Sequence, residues 1–277
     1  MSAGEVPVLS IILPAYNEAA NIRKGHLVKL DEACSQLPYQ TEVVVVDDGS
    51  EDDTADLLEQ FAASHPGFSV IRNPHKGKAQ AVSTAMLRAR ADFVLFMDMD
   101  IATSLDHIAP FVDVLRSGEA ELVIASRELP GAVRLNSPWI RRFLGKGFNL
   151  IIRVLLLPGI RDTQCGFKAF RRDVALDLFG RSVVFSPTPE LVRGPRVTAF
   201  DVELLVLAKR HGYRIKQIPV IWTHTKSKGV RVIGESTKML REVLSIWRHD
   251  CRGGYNPNPP AGEAPQPAPR ETKGQIE

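Results

Sequence analysis

Residues 92–103 read DFVLFMDMDIAT, an apolar run that closes on two carboxylates, Asp98 and Asp100. The run is too short for a buried helix, so it reads as a strand covered on both faces, spanning Asp92–Met97. The same signature recurs on either side. Val8–Pro14, Glu42–Val46, Phe68–Arg72 and Leu122–Ala125 are further short apolar runs, several of them ending in polar residues. Between them, helical spacing covers residues 17–37, 52–64, Lys78–Arg90 and 106–116. Buried strands alternating with helices imply an α/β fold with a mostly parallel sheet and helices on both faces. Ligands of such sheets sit outside the carboxyl ends of the strands. Those ends here carry Asn17-Glu18, Asp47-Asp48, Asp98 with Asp100, and Ser126-Arg127.

The rest of the chain extends this layout. Helices are expected at about 138–157, Asp173–Phe179, Phe200–His211 and about 234–249, with a strand at Ile215–Trp222. One domain over residues 6–250 accommodates these elements, its nucleotide half at about 6–127 and its acceptor half at about 128–250. Residues 252–277 are rich in Pro and Gly and nearly free of large apolar side chains, which reads as a disordered tail.

Composition narrows the function classes. A formal charge of +3 gives no reason to expect a nucleic-acid partner. Its distribution is more telling: residues 134–172 hold nine Lys/Arg and a single acid, Asp162, so one basic segment sits in a mildly acidic chain. The three cysteines, Cys34, Cys165 and Cys251, are far apart and show no zinc spacing, which favours a reducing compartment. No stretch reaches the ~18 apolar residues of a membrane span, and the N-terminus lacks the pattern of a signal peptide.

Two carboxylates at i and i+2 can approach one hard cation, Mg²⁺ or Mn²⁺, and such a cation neutralises a leaving pyrophosphate. Asp47 is placed to accept hydrogen bonds from a base or a ribose, while Ser50–Asp53 suit a helix cap. Gly77-Lys78 opens a helix, where backbone N–H groups favour anions. Neither a P-loop nor the G-x-G-x-x-G of a dinucleotide-binding fold is present. Cys165 has no partner base in sequence and reads as a packing residue.

Several stretches together carry a resemblance: PAYNE (14–18), VVDDGS (45–50), GKAQA (77–81), DMDIAT (98–103), SR (126–127), GIRDTQCGFKAF (159–170), FDVELL (200–205) and SK (227–228). The chain resembles the polyprenyl-phosphate branch of the family-2 glycosyltransferases, on the dolichyl-phosphate β-glucosyl side first and the mannosyl side next. The resemblance implies a GT-A fold, a nucleotide-sugar donor, a polyprenyl-phosphate acceptor and an inverting hexosyl transfer, with glucose from UDP-glucose ahead of mannose from GDP-mannose. Carried over, Pro14, Tyr16, Glu18, Asp47, Gly77 and Lys78 line the nucleotide pocket. Asp98 and Asp100 hold metal and diphosphate, while Arg127, Gln164 and Lys228 surround the diphosphate or the acceptor phosphate. Asp201 stands where soluble-acceptor relatives keep a base, but an acceptor phosphate is already largely ionised at neutral pH, its second pKa lying near ~6. The competing readings are a family-2 transferase with a soluble acceptor, which needs that base, and a non-catalytic relative, which would not need the two carboxylates.

Position relative to a membrane is read from the helix at about 138–157. Arg142, Lys146, Asn149 and Arg153 fall on one helical stripe and Ile140, Leu144, Phe148, Ile151 and Leu155 on the other. Trp139 and Phe143 add aromatic bulk. This pattern suits an interfacial helix, with Arg142, Lys146 and Arg153 facing anionic lipid. The expected placement is cytoplasmic, peripheral to the cytoplasmic face of a membrane. A membrane-protein partner or a second copy of the chain is compatible with it.

Overall fold

The computed structural model describes residues 6–183, 198–225 and 232–257, with the side chains of residues 139–144 and 232–236 outside the described set. The first half alternates as expected: β1 (Leu9–Ala15), α1 (Ala19–Arg23), α2 (His26–Ser35), β2 (Thr41–Asp47), α3 (Thr54–Ser64), β3 (Phe68–Arg72), α4 (Lys78–Arg88), β4 (Phe93–Met97), α5 (Ile108–Arg116) and β5 (Leu122–Ser126). Then come β6 (Val133–Leu135), α6 (Trp139–Leu155), β7 (Phe167–Arg171), α7 (Arg172–Arg181), α8 (Phe200–Arg210), β8 (Ile215–Pro219), β9 (Ile221–Thr223) and α9 (Val232–Cys251).

Seven strands form one sheet in the order β3-β2-β1-β4-β7-β5-β8. All neighbours are parallel except β7, which runs antiparallel to both β4 and β5. Both faces are covered, so the central strands β1, β2 and β4 are mostly apolar, with the buried Ser10 donating to Glu42 at 2.6 Å. Ile12, Val44, Val94 and Phe96 pack on one face with α4, α7 and α8, while Ile11, Val43, Leu95 and Val123 pack on the other with α2, α3 and α5. Strands β7 and β8, from the acceptor half, complete the sheet that the nucleotide half begins.

Four expectations need correction. The helix expected over 17–37 is two helices, because Gly25 adopts a left-handed φ of 78° and its N–H closes on Ile22 O at 2.9 Å. The strand expected over 215–222 is divided beyond Pro219, with β8 on β5 and β9 on β6 in a separate two-stranded ladder. Strands β6 and β7 form where the sequence pattern leads one to expect no strand. Finally, the expected disordered tail does not begin at 252: Tyr255 is buried, its hydroxyl donates to Glu203 at 2.8 Å, and its ring packs edge-on against His249. Residues 258–277 lie outside the described residues.

Candidate active site

The carboxyl ends of β1, β2, β4 and β5 meet along one rim. Because β7 runs the other way, its amino end reaches the same rim, with Phe167 opposite Met97. This topology brings the stretch 162–166 beside Asp98. Gly166 answers a steric demand, since a Cβ there would lie 2.0 Å from Asp98 Oδ2.

On the β1–β2 side, the left-handed Asn17 (φ 53°) ties the end of β1 to the 47–50 turn. Its N–H donates to Ser50 Oγ at 2.9 Å and its Oδ1 accepts from Glu51 N–H at 2.8 Å. Tyr16 is thereby presented to His75, and the two rings stack with centroids 4.0 Å apart and planes 6° from parallel. Asp48 fixes the other half of this wall. It accepts from His75 Nδ1 at 2.7 Å, Lys76 N–H at 3.0 Å and Gly77 N–H at 2.8 Å. Gly49, at φ 71°, allows the close approach, as a Cβ would meet His75 N at 2.7 Å. Asp47 is buried but accepts only weakly from Ser50 N–H, at 3.3 and 3.4 Å, which leaves acceptor capacity for a ligand. Pro14 lies in β1 beside Val46, and Glu18 accepts from Asn21 Nδ2 at 2.5 Å.

The paired carboxylates lie in a turn beyond β4 rather than within the strand, as Ile101 N–H closes on Asp98 O at 3.2 Å with Ile101 at φ 49°. Lys78 Nζ donates to Asp98 Oδ1 at 2.5 Å. Asp100 accepts from Ala102 N–H at 3.2 Å and from Thr225 Oγ1. Burial raises the Asp100 carboxyl pKa, and the neighbouring Asp98 charge raises it further. Burial pulls Lys78 down, but Asp98 and Asp201 more than offset this and hold the ammonium at about 12.

On the acceptor side the charges are paired. Arg127 meets the fully buried Asp162 three times, through its N–H at 2.9 Å, Nε at 2.7 Å and Nη2 at 2.9 Å. The guanidinium also lies 5.2 Å from the Trp222 ring centroid. Arg127 therefore reaches the rim with its charge already countered. Asp201, expected as a candidate base, is buried against Lys168, whose Nζ donates to it at 2.7 Å and to Cys165 O at 2.7 Å. Gln164 stands at the same edge, its N–H on Asp162 Oδ1 at 3.2 Å. Burial pushes the Cys165 thiol up to about 11, in keeping with packing rather than nucleophilic chemistry. Lys228 lies outside the described residues.

Among the described residues, four carboxylates (Asp98, Asp100, Asp162 and Asp201) thus stand with three cations (Lys78, Arg127 and Lys168). No cluster of three or more His, Cys, Asp or Glu side chains suited to a metal occurs among the described residues. A cation at Asp98 and Asp100 would thus draw its other ligands from elsewhere, and the half-exposed Asp98 is open to such a partner. The donor set fits a hard divalent ion.

The model of the Glycosyl transferase family 2 matches residues 10–179, the part of the chain that builds both carboxylate ends of the rim. The chain belongs to that family. Similar proteins include a dolichyl-phosphate beta-glucosyltransferase of Trichomonas vaginalis, 33% identical over 86% of this chain and 70% of that protein. Another is the dolichyl-phosphate beta-glucosyltransferase of Saccharomyces cerevisiae, 29% identical over 90% and 77%. The glycosyltransferase AglD of Haloferax volcanii is 32% identical over 86% of this chain but only 37% of its own length. Among solved structures, the same GT-A fold is seen in glucosyl-3-phosphoglycerate synthase of Mycobacterium tuberculosis (TM-score 0.61, 20% identity, 87% and 80% coverage). A mannosyltransferase of Pyrobaculum calidifontis shares it too (TM-score 0.58, 22% identity, 87% and 64% coverage). The first was determined with Mn²⁺ and UDP, the second with Mn²⁺ and GDP-mannose.

Within this family-2 glycosyltransferase, the described stretches 14–18, 47–50, 98–100 and 126–127 lie at the strand ends, but their pairings are not marked by local pattern. His75, Asp48, Asp162, Lys168 and Thr225 act through neighbours that no local pattern announces. Helix α6 also differs from its expected division. Asn149 faces inward and its Oδ1 accepts from Thr163 N–H at 3.4 Å and Thr163 Oγ1 at 3.3 Å. Ile151 and Leu155 turn outward instead, with Leu150 and Val154, and this exposed apolar band is flanked by Lys146 and Arg153. Arg142 belongs to the same helix, its side chain outside the described set. Among the described residues no helix is long and apolar enough to cross a membrane.

Proposed function

We propose that this enzyme transfers a hexose from a nucleoside-diphosphate sugar to a polyprenyl phosphate at a membrane surface, with inversion at the anomeric carbon. The observation that carries this reading is the pairing of the acceptor-side carboxylates. Asp162 is held by Arg127 and Asp201 by Lys168, so neither is a free base. A hydroxyl acceptor would need one, whereas a phosphate arrives ionised. The similarity to dolichyl-phosphate beta-glucosyltransferases points the same way and favours glucose over mannose.

In this reading Tyr16, stacked on His75, walls the nucleotide pocket with Pro14, Glu18 and Gly77, and Asp47 accepts hydrogen bonds from the nucleoside. Asp98 and Asp100 hold Mg²⁺ or Mn²⁺, which supplies counter-charge to the departing diphosphate. Lys78 adds a second positive charge on the donor side. Arg127, Gln164 and Lys228 bear on the acceptor phosphate, whose oxygen attacks opposite the leaving group. The apolar band of α6 lies in the interface, and its inner edge contacts Thr163, so the lipid enters next to the phosphate site. Three cysteines unpaired in the fold favour the reducing, cytoplasmic side.

The test offers labelled UDP-glucose and GDP-mannose separately, each with Mn²⁺ and either a short polyprenyl phosphate or a panel of soluble sugar acceptors. Label entering the organic phase only with the polyprenyl phosphate is the expected result. Transfer to the soluble acceptors alone would overturn the lipid assignment.

A further inference from the structure

The ion pair between Lys78 and Asp98 places an ammonium on a carboxylate assigned to the metal. Asp98 Oδ2 backs onto Gly166 so closely that a Cβ there would sit 2.0 Å away. The space on that side, bounded by Met97, Ala102, Thr103, Phe167 and Trp222, is a cavity of about 10 Å³. That is room for one water at most, not for an ion with its ligands. On the open side, the Lys78 ammonium holds Asp98 Oδ1 at 2.5 Å, so a cation bound to that oxygen meets Lys78. Its backbone is fixed: Lys78 opens α4, directly after Gly77 at φ 93°. Only the side chain can move, and it needs another anion to move to.

We propose that Lys78 is an internal stand-in for the divalent cation, and that it couples metal loading to the donor diphosphate. Without donor, the ammonium competes with the metal for Asp98 Oδ1. When the diphosphate arrives, the ammonium gains a new anionic partner and Oδ1 is released. The site then takes metal and donor together and resists metal alone. Linkage makes the coupling reciprocal: metal strengthens donor binding by the same factor as donor strengthens metal binding. This inference rests on the metal assignment to Asp98 and Asp100, and it adds the group that regulates that site.

Mn²⁺ binding to the full chain, followed by electron paramagnetic resonance, tests it with no reliance on turnover. The probes are Mn²⁺ alone and Mn²⁺ with UDP or GDP. Lys78→Gln should bind Mn²⁺ alone about tenfold more tightly than the parent, a gain of ~1.4 kcal/mol. Its Mn²⁺ affinity should also depend far less on the nucleotide. Lys78→Arg keeps the charge and should keep the parental weakness, while Asp98→Asn should lose Mn²⁺ in either background. Equal or weaker binding of Mn²⁺ alone by Lys78→Gln, or the same gain in Lys78→Arg, overturns the stand-in role and leaves the metal assignment intact. Failure of parent and variant alike to bind Mn²⁺, with or without nucleotide, overturns both.

Discussion

Replacing Asp162 with Asn probes the joint between the fold and the acceptor side. Asp162 is fully buried and takes three hydrogen bonds from Arg127, one from its main chain and two from its guanidinium. Burial alone would raise its pKa, yet the Arg127 charge and hydrogen bonds hold it down at about 2, against an ordinary 3.8. Holding the carboxylate charged in this way stabilises the fold by on the order of 1–3 kcal/mol. The substitution also strands the mostly buried guanidinium, and breaking a buried pair from one side costs ~3–5 kcal/mol. A loss of about 2–4 kcal/mol at pH 7 is expected, measured by urea unfolding monitored through tryptophan fluorescence. The sign of the pH dependence follows from the depressed pKa. The contribution of Asp162 is complete above about pH 4 and is lost as pH falls toward about 2. The gap between parent and variant should therefore narrow across that window. A variant within ~0.5 kcal/mol of the parent at pH 7 would refute the reasoning, as would a gap that stays constant below pH 4.

Other substitutions test separate parts of the account. Gly166→Ala places a methyl group within 2.0 Å of Asp98 Oδ2, so Mn²⁺ binding and transfer should both fall at least about tenfold while the far-ultraviolet circular dichroism is kept. Truncation after residue 253 removes the buried Tyr255 and its bond to Glu203 and should cost ~3 kcal/mol, about 10 °C in Tm, whereas truncation after 257 should cost nothing measurable. Changing Ile151 and Val154 to Ser with Lys146 and Arg153 to Glu should abolish co-sedimentation with anionic liposomes, and parental binding by that variant would show that α6 is not the membrane face.

The first half of the fold was legible because its signals are local. Strands buried on both faces must be apolar end to end, so β1, β2 and β4 stand out, and the polar residues after them mark the rim. Strand β7, FKAFR, carries Lys168 in its middle, which breaks the apolar run. The distant Asp201, with the Cys165 carbonyl, makes that lysine tolerable in the core, and sequence alone does not pair Lys168 with Asp201. Asn149 misled for the same reason: a polar residue at helical spacing with Arg142, Lys146 and Arg153 reads as surface, but Thr163 satisfies it inside. Tyr255 sits among glycines, prolines and asparagines, so composition hid its burial on Glu203. Motif residues announced where the chemistry lies, while their neutralising partners emerged only from the topology.

The central claim is that the acceptor is a lipid phosphate that needs no protein base. Its most direct test compares Asp201→Asn and Asp100→Asn in the organic-extraction assay, across pH 5.5–8 with Mn²⁺ and saturating donor. The account predicts that Asp100→Asn loses most transfer, while Asp201→Asn keeps a substantial fraction and its rate rises with ionisation of the acceptor phosphate near pH ~6. An Asp201→Asn variant that folds and binds donor normally but is as inactive as Asp100→Asn would contradict the claim and identify Asp201 as the base.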